Sequence, residues 1–213
     1  DSVMNYPFAD AVLDFVRFAN GDSFFNSVMS IVENYPPQVL SVLMNHIGTH
    51  DTVRAITRLA GENPDGHDRT WQFEHNTLSK FDYLRGVSMM KIASLIQFTL
   101  PGVPSIYYGD EIDMQGMKDP FNRACMPWNK PNEELLKWYK RLGQIRHSSK
   151  AFIDGDFEKL YCDGGVIAYS RSSEGDNILV AINNSNEQKR IFVGIQWDNS
   201  YSLFDEKSVD GFV

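Results

Sequence analysis

Apolar and polar positions change rhythm along this 213-residue chain, and the changes mark its units. In residues 2–21, SVMNYPFADAVLDFVRFANG, a short apolar run ends at Asn5, Tyr6 and Pro7. Phe8, Val12, Phe15 and Val16 then recur at helical spacing, with Asn20-Gly21 read as the stop. A second helix is predicted over residues 23–35, closed by Pro36-Pro37. Residues 39–47, VLSVLMNHI, are apolar with little interruption, the pattern of a parallel strand buried on both faces. A short helix ending at Gly61 follows, and residues 63–76, NPDGHDRTWQFEHN, have loop composition.

Residues 78–100 predict a long helix whose turns are traced by Phe81, Leu84, Ser88, Lys91, Ile92 and Leu95, with the more apolar side inward. Pro101 and Gly102 stop it, residues 105–108 predict a strand, and Gly109, Asp110 and Glu111 leave that strand's far end. A long loop over residues 112–132 leads to a helix from Glu133, with Asn132 as N-cap. Acidic Glu133 and Glu134 open that helix and basic Arg146 and His147 close it, which suits its dipole.

Beyond residue 148 the period changes to two. Apolar and polar residues alternate between the turn signals Asp163-Gly164, Gly175-Asp176 and Asn183-Asn184. The expected organisation is α/β over residues 1–148, built from three strand–helix units, followed by an antiparallel all-β domain over 149–213. Three parallel units cannot close a barrel and leave outer strand edges unpaired, so self-association is expected.

Composition narrows the function classes. With 42% hydrophobic and 23% charged residues the chain has globular rather than disordered character. A net charge of -8 without any basic run excludes a phosphate-tracking, nucleic-acid-binding surface. The longest apolar stretches fall short of the ~20 residues that span a bilayer, so no membrane segment is expected. Cys125 and Cys162 form no CxxC pair and are read as free, partly buried thiols. His46 and His50 lack third and fourth metal ligands nearby. No metal or cofactor is therefore expected. The chain starts with neither Met nor a signal peptide and enters a strand-like segment at once, as a piece of a longer chain would.

In parallel α/β folds function gathers at the carboxyl ends of strands. Three such ends are visible here: Asn5-Tyr6, His50-Asp51, and residues 108–111. Polar, acidic and aromatic groups on one face have the character of a sugar site, where rings stack on the apolar sugar face and carboxylates accept hydrogen bonds from hydroxyls.

Three stretches carry a family resemblance. GTHDTVR (48–54) resembles the strand-seven motif of the α-amylase family of glycoside hydrolases. LPGVPSIYYGDEIDMQGMKDPFNRACMPW (100–128) resembles its strand-eight region. SVMNYPFADAVLDFV (2–16) is similar to strand six of the neopullulanase and cyclomaltodextrinase branch.

The resemblance implies the last three βα units of a (β/α)8 barrel, followed by an antiparallel β-sandwich. It implies an enzyme that cleaves α-glucosidic bonds with retention, acting on maltooligosaccharides, cyclodextrins or related glucans, in a cytoplasmic setting. Asp51 then matches the invariant carboxylate that holds sugar hydroxyls and stabilises the transition state. His50 matches the histidine bonded to the same sugar, Asp119 and Arg123 match a pair gripping the next sugar, and Tyr108 and Trp128 are lining residues.

A retaining glycosidase also needs a nucleophile and an acid/base, two carboxyl groups about 5 Å apart. In this family these are an Asp in a GxRxDxxxH motif and a Glu on the next strand. Neither motif occurs in these residues, so this chain alone is expected to be inactive.

Each candidate has an alternative reading. Asp51 caps a helix begun by Thr52, His50 is a core histidine, Asp119 and Arg123 are a local ion pair, and Trp128 packs its loop. Asp110 and Glu111 look like a catalytic pair, but neighbours on a strand point to opposite faces. A rival for the whole chain is a non-catalytic carbohydrate-binding module in the β domain, using Tyr161, Tyr169, Trp197 and Tyr201. Another is a purely structural domain that keeps the family motifs.

Overall fold

The computed structural model describes residues 2–194 and 200–208. Helix α1 (Tyr6–Phe18) starts where Asn5 accepts a hydrogen bond from the Phe8 amide, and it buries Phe8, Val12, Phe15 and Val16 as the spacing predicts. It ends at Ala19 in the left-handed region, not at Asn20-Gly21. Asn20 instead caps the next helix, α2 (Gly21–Asn34), by accepting from the Ser23 amide at 3.0 Å. The residue read as a stop is thus a start, because an amide side chain serves either end of a helix.

The long strand expected over residues 39–47 is shorter. Pro37 opens a single helical turn, α3 (Pro37–Leu40), and only β1 (Met44–Asn45) is extended. It pairs in parallel with β2 (Val103–Pro104), and Met4 makes a parallel bridge to Met44 on the other side. Three parallel strand segments therefore lie side by side, ordered Met4, β1, β2. The strand expected over residues 105–108 is displaced toward the N-terminus. Its ladder closes where Ser105 N donates to Asn45 O, and the chain then turns at Tyr108-Gly109.

Helix α4 (Ala55–Ala60) ends at Gly61 as expected. Residues 63–76 are not all loop: Asp68 accepts from the Trp71 amide at 2.8 Å and starts α5 (Arg69–Glu74). The long helix α6 (Lys80–Thr99) is capped by Ser79 and packs against α1, α4 and a later helix, α7 (Glu133–Ser148). Its buried face runs through Val87, Met90, Ala93, Ser94 and Gln97. Phe81, Leu84 and Ser88 of the expected stripe are exposed, because they lie on the side of α6 turned away from α1, α4 and α7. Asn132 caps α7 by accepting from the Glu134 and Leu135 amides.

After α8 (Ala151–Asp154) comes an antiparallel sheet of β3 (Asp156–Asp163), β4 (Val166–Ser173) and β5 (Asp176–Asn183), in that order. Its hairpins turn at Gly164 and Gly175, both with positive φ, at the two glycine turn signals. Central β4 is buried from Val166 through Arg171 and does not alternate as expected. Its second face lies against helices: Tyr169 OH is hydrogen-bonded to Thr99 Oγ1 at 2.6 Å, and Arg171 donates to Thr99 O at 2.8 Å. Asn184 donates to Phe15 O and Val16 O, both at 3.0 Å. One apolar core runs from Phe15 and Ile96 through Phe152 to Ile167 and Tyr169, so the sheet and the helices share an interior.

Two smaller expectations change. Cys125 is exposed and only Cys162 is partly buried. Tyr169 is fully buried and unavailable to a ligand, and Trp197 lies outside the described residues. Among the described residues no helix is long and apolar enough to cross a membrane, and no group of three His, Cys, Asp or Glu side chains is placed to hold a metal.

Candidate functional site

Beneath the strand ends lies a layer of amides. Asn5 donates to Asn45 Oδ1 at 3.1 Å, and Asn45 donates to Pro101 O at 2.7 Å. Gln97 donates from one amide nitrogen to Asn45 O and Ser105 O, both at 2.9 Å. All three side chains are buried, and their bonds tie the ends of all three strands together where backbone pairing stops.

Above this layer the chain leaves β1 through His46, which is buried edge-on against the Tyr6 ring at 4.8 Å. Burial lowers the His46 pKa and keeps the imidazole neutral. The chain then turns sharply. Thr49 Oγ1 accepts from the Asp51 amide at 3.1 Å, which directs His50 and Asp51 outward, each with 54% of its side chain exposed.

Asp51 is the centre of the cluster. Tyr6 OH donates to its Oδ2 at 3.3 Å, while His50 Nε2 and Arg123 Nη2 lie 3.3 and 3.8 Å from its Oδ1. Arg123 Nε also reaches Asp119 Oδ1 at 3.1 Å. The four residues 50, 51, 119 and 123 are thus brought together. Asp51 caps no helix, since α4 starts only at Ala55, and His50 is not a core residue. The Asp119–Arg123 contact does exist as a local ion pair, but its arginine also faces Asp51.

Tyr108 and Trp128 sit differently. Tyr108 OH donates to Ala124 O at 2.7 Å, bracing the 119–124 loop from behind. Trp128 is 81% exposed, and no hydrogen bond or ring contact among the described residues joins it to the cluster. Such exposure also removes the reading that it packs its loop.

Two supports were not assigned from the sequence. Buried Asn122 donates to His50 O at 2.9 Å and Thr52 O at 2.7 Å, clamping the turn that carries Asp51. Arg54 is fully buried with its guanidinium 4.2 Å from the Tyr107 ring centre and 4.5 Å from that of Tyr108, and it donates to Tyr108 O. Its partner is Asp110, equally buried at 3.6 Å. Burial pushes the Asp110 pKa up to about 7, Arg54 opposes the rise, and the Glu111 charge adds to it. Gly48 is required here, because a Cβ would overlap Asp110 Oδ2. Asp110 and Glu111 lie on a 3-10 turn rather than a strand, and Glu111 accepts from the Gly109 amide. Neither faces Asp51. Among the described residues a wide groove of about 1010 Å³ runs along α2 through Ser23, Asn26, Ser30 and Asn34, away from the cluster.

Comparison with known families decides the relationship. Residues 1–134 match the alpha amylase catalytic domain, and residues 155–201 match the alpha-amylase C-terminal domain. The chain belongs to the alpha-amylase family.

A cyclomaltodextrinase of Thermoanaerobacter pseudethanolicus (strain ATCC 33223 / 39E) is 36% identical over 197 residues, covering 91% of this chain and 30% of the relative. An amylopullulanase of Thermoanaerobacter thermohydrosulfuricus is 33% identical over 215 residues, covering 91% and 14%. The chain therefore spans less than a third of the length of these curated relatives. A solved cyclomaltodextrinase superposes with a TM-score of 0.74 at 32% identity, over 92% of this chain and 31% of that one. An Anoxybacillus alpha-amylase gives 0.78 at 26% identity, over 99% and 43%.

For an alpha-amylase family member the architecture is accounted for: three βα units of a (β/α)8 barrel followed by the antiparallel β domain. Of the supports missed in the sequence, Asn122 and Arg54 both lie inside the quoted motifs, as the N of DPFNR and the R of DTVR. Tyr6 was visible as a strand end, but its reach to Asp51 spans 45 residues.

Proposed function

We propose that residues 1–148 are the sugar-holding part of a retaining α-glucan hydrolase, with 149–213 as its β-sandwich domain. Asp51 accepts hydrogen bonds from sugar hydroxyls and stabilises the transition state. His50 binds the same sugar, and Asp119 with Arg123 grips the next one. The observation that carries this reading is the outward-facing Asp51 carboxylate, fixed by Tyr6 OH and facing both His50 and Arg123. Its Oδ1 stands 3.3 Å from His50 Nε2 and 3.8 Å from Arg123 Nη2, and a carboxylate oxygen with two lone pairs keeps room to accept from a hydroxyl.

Tyr108 enters this site as a brace for the 119–124 loop, and Trp128 as an exposed ring on its rim. Positioning alone breaks no bond. Because the nucleophile and acid/base motifs lie outside these residues, the chain by itself releases no reducing sugar. Membership of the family supports α-glucans as the substrate class. Self-association of the open strand edges belongs to the same reading.

Calorimetric titration with maltotriose tests the site. Binding that is lost in Asp51→Asn supports it. Binding unchanged by that substitution moves the sugar site to the β domain, the alternative of a carbohydrate-binding module. Reducing sugar released from maltotriose by the pure chain would refute its inactivity.

A further inference from the structure

We propose that Phe73 and Phe121 form a stacking platform for a further glucose ring of an α-glucan held at Asp51. This deepens the reading above and rests on it. Phe73 lies on α5 and is 71% exposed. Its ring lies 6.2 Å from that of half-buried Phe121, inclined by 47°. Phe121 stands between Asp119 and Arg123 in the chain and opens the 3-10 turn Phe121–Arg123. Phe121 is therefore carried on the same loop as the charged pair that borders Asp51.

The segment carrying Phe73 is braced rather than loose. Trp71 is stacked between His67 at 3.7 Å and His75 at 4.0 Å, nearly parallel to both. Phe73 comes two residues later, roughly 200° round the helix from Trp71, so packing that stack leaves Phe73 on the other side. Lys118 pairs with Asp65, Met117 N donates to Asn76 Oδ1 at 2.8 Å, and Leu78 N donates to Gln115 Oε1 at 2.6 Å. These bonds fasten residues 65–78 to the loop that carries Asp119 and Arg123. An aromatic ring is held outward by a preorganised support.

The chemistry of the surroundings selects the occupant. The two rings make a small apolar spot on segments that also carry the Lys118–Asp65 and Asp119–Arg123 pairs. A pyranose presents that complement, an apolar C–H face rimmed by hydroxyls. A protein partner needs about 800 Å² on each side, far more than two rings supply. A nucleobase stack needs a cationic groove, which a chain of net charge -8 does not offer.

Calorimetric titration of the 213-residue chain with maltose and with maltohexaose tests the platform. Phe73→Ala is expected to weaken maltohexaose binding about tenfold and leave maltose binding unchanged. Phe73→Trp, which keeps an aromatic face, is expected to retain the long-sugar affinity. Equal maltohexaose affinity in Phe73→Ala and the unaltered chain overturns the platform while Asp51 still stands. An equal loss for both sugars also overturns it, since that is damage to the fold rather than loss of an outer contact. Failure of the unaltered chain to bind either sugar overturns the Asp51 reading, and the platform with it.

Discussion

The side-chain amide of Asn122 donates to the main-chain oxygen of His50 at 2.9 Å, joining residues 72 apart in the chain. The same nitrogen reaches Thr52 O, so one buried amide holds both ends of the turn that presents Asp51. Asn122→Ala takes the side-chain donor from Thr52 O and leaves His50 O with Arg123 Nε alone, which costs about 1–3 kcal/mol of stability. It also frees the turn. Maltotriose affinity is expected to fall with it, and thermal unfolding beside calorimetric titration separates the two effects.

Asp110 gives the fold a pH dependence that can be isolated. Its carboxyl titrates near 7 in the native chain against an ordinary 3.8. Between those values the folded chain holds a proton that the unfolded chain has released, so this group's contribution to stability falls as pH rises through the window. His46 acts oppositely. Its lowered pKa leaves it neutral when folded, while the unfolded imidazole takes a proton below 6.5, so its contribution falls as pH drops. Comparing the chain with Asp110→Asn cancels the His46 part. The melting-temperature difference, variant minus unaltered chain, is expected to be larger at pH 8 than at pH 5; a constant difference contradicts the burial argument.

Arg54→Met removes the cation packed against two tyrosine rings and strands Asp110 beside it. Breaking a buried pair from one side costs about 3–5 kcal/mol. The loss should shrink at pH 5, where Asp110 carries its own proton. Urea melts at both pH values read this directly.

Gly48→Ala forces a methyl group into the Asp110 carboxylate. Overpacking of this kind costs about 1–3 kcal/mol. Since Gly48 lies two residues before His50, the strain displaces the Asp51 turn as well. Chemical denaturation and maltotriose titration should both register the change.

Tyr169→Phe deletes the hydroxyl that meets Thr99 across the junction of sheet and helices. Thr99 keeps its bond to Leu95 O, so the cost is about 1 kcal/mol. The shared core predicts a single cooperative unfolding transition in both forms. Two resolved transitions in calorimetry would show that the sheet melts separately.

Legibility followed the range of each interaction. The cap at Asn132 and the hairpin turns at Gly164 and Gly175 are decided within a few residues, and the chain declares them. Asn20 was misread because its amide can close one helix or open the next, and which it does depends on where Ala19 turns. The α6 stripe was misplaced because inward and outward faces depend on α1, α4 and α7, which periodicity cannot see. β4 loses its alternation for the same reason, with helices covering its second face.

By itself the sequence determined that this chain is strand–helix units followed by antiparallel strands and that His50 and Asp51 follow a strand together, while only the family resemblance implied that DPFNR belongs near them. Period, capping and turn chemistry are local and written residue by residue. Only the tertiary structure decided that Tyr6 reaches Asp51, that Asn122 clamps its turn, that Arg54 and Asp110 share a buried pocket, and that Phe73 meets Phe121. Those contacts join residues 45 to 72 positions apart, or separate loops, and they form because a common core brings strand ends and loops to one face.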